Sequence, residues 1–204
     1  MDAFDEKTHK QVAFLHAVHF VQGSEILVRH ITKVSLSNDS DVAVGKMDFH
    51  KLNDTGQPLL NKVPIFTLEA PTANSNVVTY AYPESSREFG GEELGTFVAN
   101  YYAGQFIEHC DHARDAVMVT WPHYATSIKS KGGASGGPVF DSNGRVFGIN
   151  SVGGIIEYAA RVAELLPLEV PEFPGFSGQD GRQWPTVSEL AKASMIVFDP
   201  PFSP

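Results

Sequence analysis

A single cysteine, Cys110, occurs in 204 residues, so no disulfide can form within the chain and nothing in it requires an oxidising compartment. Basic residues are also scarce, with 15 Lys and Arg against 24 Asp and Glu and a formal net charge of −9. No Lys/Arg-dense stripe offsets that balance, which argues against nucleic acid as a partner. No apolar run approaches the roughly 20 residues that span a bilayer as a helix, so no membrane span is expected. The first residues, with Asp2, Asp5 and Glu6, lack the basic-then-apolar order of a secretory signal. Together with the lone cysteine, this favours a cytoplasmic setting for the chain as given.

What the chain does have is the material of a folded domain: 42% hydrophobic and 19% charged residues, enough length for a sizeable core, and 18 glycines and 13 prolines as punctuation. Short apolar runs between turn residues predict an all-β fold. Gln11 to Ser37 reads as a hairpin turning at Gln22-Gly23-Ser24, and Val42-Ala43-Val44 as a short strand. Further strands are expected over Val63 to Leu68 and Asn76 to Tyr82. A longer hairpin is expected from Gly95–Cys110 and Ala116–Trp121, with one more strand over Val146 to Ile149. After Ser151 the character changes. Ala159 to Leu166 has helical composition, residues 170 to 185 are rich in proline and glycine, and Met195 to Phe198 reads as an apolar strand. Thr186 followed by Glu189 has the spacing of a helix capping box.

The chemistry concentrates in Gly132-Gly133-Ala134-Ser135-Gly136-Gly137-Pro138, a serine in a glycine-dense turn. A serine attacks a carbonyl only when a base takes its proton and donors stabilise the oxyanion. Glycines on both sides leave room for a substrate backbone and let amides point inward. Gly133 to Gly137 also fits the Gly-x-Ser-x-Gly elbow of α/β-hydrolases, but that elbow opens a helix and needs a later histidine, and none follows His123. A subtilisin-like order is disfavoured because it too starts a helix at its serine, which Gly136-Gly137-Pro138 does poorly.

The whole run, with Asp141-Ser142-Asn143-Gly144 and Gly148-Ile149-Asn150-Ser151 behind it, resembles the trypsin-like serine proteases of the disulfide-free, HtrA-related bacterial type. The resemblance implies a two-barrel chymotrypsin-like fold and peptide-bond hydrolysis through an acyl-enzyme, with a peptide or protein as substrate and no cofactor. It makes Ser135 the nucleophile and the amides of Gly133 and Ser135 the oxyanion donors. Ser151-Val152-Gly153 becomes the edge that pairs with substrate, and the specificity pocket begins near Lys129. Ile155, Ile156 and Tyr158 are expected on that pocket's far side. A basic or apolar pocket of this kind would not favour Lys or Arg in the substrate.

In such proteases the triad runs His, Asp, Ser along the chain. Asp41-Val42-Ala43-Val44 matches the family's catalytic acid and the strand it precedes, and Asp39 is a weaker neighbour. The base is open between His19, in Ala17-Val18-His19, His9 nearer the N-terminus, and a histidine this chain does not supply. Two strands should separate the base from the acid, and about three should precede it, so the first barrel is expected to be incomplete. The expected division is residues 1–70 as that partial barrel, 71–168 as the second barrel and 169–204 as a proline-rich extension. An incomplete barrel exposes strand edges, so self-association through it is expected. The alternative function is an inactive protease-like fragment that binds extended peptides or a partner by strand addition. Glu108-His109-Cys110-Asp111-His112 holds the residue types of a zinc site, but strand alternation would send neighbours to opposite faces, and no metal is expected there.

Overall fold

The strands of this chain pair into sheets that fix where each loop can stand. The computed structural model describes residues 16–21, 25–47, 64–82 and 98–201, the first two stretches through position 28 as backbone only. Three antiparallel strands, β1 (His16–Val21), β2 (Glu25–Leu36) and β3 (Ala43–Met47), make a sheet in that order. Six more close into a barrel: β4 (Asn76–Ala81), β5 (Asn100–Cys110), β6 (His123–Thr126), β7 (Pro138–Phe140), β8 (Val146–Val152) and β9 (Glu157–Arg161), in the order β4-β5-β6-β9-β8-β7. A 3₁₀ turn at Val162–Leu165 and one helix, α1 (Val187–Lys192), follow.

Val77, Phe106, Tyr124, Ile128, Val139, Phe147 and Ala159 fill the barrel. A second cluster joins Val42 and Val44, around β3, to Ala160, Ile149, Leu165 and Leu168. It ties the three-stranded sheet to the barrel and fixes the loop that carries Asp41. The chain after residue 168 wraps the barrel. Its helix is capped as its sequence predicts, with Thr186 accepting from the Glu189 amide and Glu189 accepting from the Thr186 amide at 2.7 Å.

Four expectations fail. Ala116 to Trp121 is a loop, because Asp115 Oδ1 accepts the amides of Val117 (2.8 Å) and Met118 (2.6 Å) and folds the stretch back on itself; β6 at His123 is the partner of β5. Those amide hydrogen bonds hold the Asp115 carboxyl well below its usual range. Ala159 to Leu166 begins as strand, since β9 closes the barrel between β6 and β8. Small side chains are required there: a Cβ on Gly148 of β8 would lie 3.1 Å from that of Ala159. Around Phe66 there is no strand, only bridges to Val146 and Phe198, and Met195 to Phe198 contributes only that bridge.

Glu172, in the wrap, joins Lys33 on β2 and Lys46 on β3 at once. These cations hold its carboxyl down at about 2. The unfolded chain binds this proton near the ordinary value of 4.5 while the folded chain stays ionised to about 2, so the contribution is full above pH 5 and lost as pH falls through 2. The difference in urea midpoint between wild type and Glu172→Gln should therefore shrink as pH is lowered from 6 to about 2, and shrink again in high salt, because the pairs are exposed.

Candidate active site

Ser135 is exposed at the mouth of the loop between β6 and β7, and its Oγ donates to the carbonyl of Ser151, 3.0 Å away. Ser151 in turn donates from its own Oγ to Asp41 Oδ2. One residue thus bridges Ser135 and Asp41, and two hydrogen bonds plus the width of a serine place their side chains within about 10 Å. Ser151 owes its position to a bulge: β8 pairs Asn150 with Ala159 but Val152 with Tyr158, so Ser151 is the extra residue. A bulge turns a strand and re-aims its side chains. Residues 38–41 line an open concavity of about 430 Å³ with Thr120 and Trp121.

The loop itself is braced from below. Thr79 on β4 is fully buried; its hydroxyl donates to the Pro138 carbonyl (2.7 Å) and accepts from Asn150 Nδ2 (2.9 Å). The Gly136 amide donates to the Asn150 carbonyl at 2.7 Å, and the Asn150 amide to that of Gly137 at 2.8 Å. Gly137 is compulsory, since a Cβ would lie 2.9 Å from the Ala134 carbonyl oxygen. Gly133 holds a φ of +97°, a conformation that favours glycine. The amides of Gly133 and Ser135 donate to no backbone carbonyl among the described residues. Thr79→Val should lower stability by about 1–3 kcal/mol, because it leaves a buried amide without its acceptor and a carbonyl without its donor. Urea melts at pH 7 would read this directly.

Beside Ser135 lies a pocket of about 330 Å³ walled by residues 130–135 on one side and 150–154 on the other, with Glu157 between them. Ser151, Val152 and Gly153 are all in that wall. Lys129 is exposed and lies outside the lining, which begins at Ser130. Ile155 is 91% exposed, and Tyr158 packs against His123 (5.2 Å between rings) on the other face of β9. Three residues escaped the sequence reading: Thr79, Asn150 and Glu157. The signal for Glu157 was present, as a lone acid between apolar neighbours in an alternating strand.

The histidines separate clearly. His19 is paired through its backbone with Leu27 of β2, while Leu36, at the far end of β2, pairs with Ala43 beside Asp41. From Leu27 to Leu36 is roughly 30 Å along the strand. The register does not bring His19 to Asp41. His9 lies outside the described residues. His123 is buried, its Nδ1 3.0 Å from the Trp121 carbonyl oxygen. In the His-Cys-Asp-His run, His109 and Asp111 both turn to Arg161, at 2.8 Å each. Burial, then Glu108, pushes the Cys110 thiol up and keeps it protonated.

Comparison with known proteins agrees with this architecture. Residues 3–149 match the family described as trypsin-like peptidase domain. Among solved structures, that of Deg5 superposes with a TM-score of 0.54 at 18% identity, over 76% of this chain and 66% of that one. The active form of the Rv3671c protease from M. tuberculosis gives 0.47 at 19% identity, over 70% of this chain and 61% of the other. This chain therefore spans about two thirds or less of the length of the structures it resembles. A search of curated protein sequences returns no match.

Proposed function

The chain belongs to the trypsin-like peptidase domain family, and we propose that it is a serine endopeptidase in which Ser135, Asp41 and His9 form the triad. The observation that carries this is the Ser135–Ser151–Asp41 chain of hydrogen bonds at a cleft between the sheet and the barrel. Ser135 would attack the substrate carbonyl as the histidine takes its proton. Asp41 would hold the imidazole in the right tautomer, and the Gly133 and Ser135 amides would bind the oxyanion.

His9 is assigned by order and topology. The base must precede Asp41 in the chain, and β1 and β2 occupy the interval in which two strands are required. His16 pairs with His30 of β2, and His19 pairs farther along β2 from the end beside Asp41. That leaves His9. Substrate would add as a strand along Ser151-Val152-Gly153, where β7 has ended and no strand among the described residues pairs with that edge of β8. A fluorophosphonate probe tests the assignment. Wild type and His19→Ala should be labelled, while Ser135→Ala and His9→Ala should not. Labelling of His9→Ala at the wild-type rate would remove His9 from the triad. Labelling of no variant, wild type included, would favour the second reading, a peptide-binding module without turnover.

A further inference from the structure

The pocket beside Ser135 contains an acid that the serine chemistry does not use. Glu157 opens β9, and the alternation of that strand turns it inward with Ala159 while Tyr158 faces out. It is only 3% exposed. Its Oε1 accepts the Ser130 amide, which pins the carboxylate where the two walls of the pocket meet, and its chain runs against Gly153, where a Cβ would sit 3.9 Å from Cγ. Among the described residues no cation pairs with it. The pocket's other charged residue, Lys131, is exposed.

A carboxylate held so far from water with a single amide partner is costly unless a cation joins it. We propose that substrate supplies this cation: Glu157 makes the pocket select a lysine or arginine side chain on the residue just before the scissile bond. The proposal rests on the reading of Ser135 as nucleophile for the position of that residue, but the preference of the pocket for a cation does not. The geometry suits the task, because glycines stand in both walls of the pocket beside Ser135 and Glu157 lies in its lining between them. Gly132, Gly133, Gly153 and Gly154 leave the passage open.

Two measurements test this. The first is equilibrium binding of p-aminobenzamidine, followed by its fluorescence, which needs the pocket but no turnover. Glu157→Gln keeps the size and the acceptor for the Ser130 amide and removes only the charge. Binding should weaken by about 100-fold in Glu157→Gln, as expected when one partner of a desolvated charge pair is lost, and Glu157→Asp should retain part of it. The second compares matched peptides carrying arginine or its neutral isostere citrulline before the cut. Wild type should favour arginine by about 100-fold in kcat/KM, and the ratio should fall toward one in Glu157→Gln. Equal p-aminobenzamidine binding by wild type and Glu157→Gln would overturn the proposal, as would a wild-type preference for citrulline, apolar or acidic residues at that position. Charge-dependent binding without fluorophosphonate labelling would leave the cation pocket standing and remove the protease reading.

Discussion

Ser135→Ala should lower kcat on a peptide substrate by about 10⁶-fold, to the level left by binding and the oxyanion donors alone. The exposed hydroxyl meets only the Ser151 carbonyl, and methyl in its place disturbs none of the brace formed by Thr79, Asn150 and Pro138. Its urea midpoint should therefore match that of wild type. The pair of results matters: lost turnover with unchanged stability assigns the hydroxyl to chemistry. A Ser135→Ala enzyme that still cleaves at the wild-type rate would show that another group is the nucleophile.

Asp41→Asn should reduce kcat by about 10⁴-fold while KM changes little. Asparagine keeps the shape and still accepts the Ser151 hydroxyl, but it presents an N–H where the imidazole needs an acceptor and provides no charge to balance the imidazolium. Circular dichroism should be unchanged, since Val42, the neighbour that anchors the loop in the cluster with Ala160 and Leu168, is untouched. Ser151→Ala, which removes the donor that orients Asp41, should give a smaller loss of the same kind. A fall in KM-dependent binding rather than in kcat would place Asp41 in substrate recognition instead.

The nucleophile loop was legible because its constraints are local. Gly137 has no space for a Cβ and Gly133 needs a positive φ, so the chemistry of that turn is written in residue types that few other structures require. The helix cap at Thr186 and Glu189 was legible for the same reason, as two side chains three residues apart satisfying each other's amides. The hairpin of β1 and β2 and the short strand after Asp41 followed from alternation and turn residues.

What the sequence could not decide depends on partners remote along the chain. Ala159 and Ala160 have no strand preference of their own; they are extended because β6 and β8 flank them and the barrel closes through them. His19 echoes a catalytic motif by its neighbours, yet its register sets it a strand's length from Asp41. Glu157 reads as an ordinary acid until β9 turns it inward beneath the nucleophile loop. Lys129 reads as the pocket's own residue until the loop leaves it outside the lining. The sequence by itself therefore determined the family and the tight glycine turn around Ser135, since each depends on conformations a few residues impose on themselves. Only the tertiary structure decided that His19 pairs a strand's length from Asp41 and that Glu157 lines the pocket beside Ser135, because strand register and barrel closure are set by pairings between segments far apart in the chain.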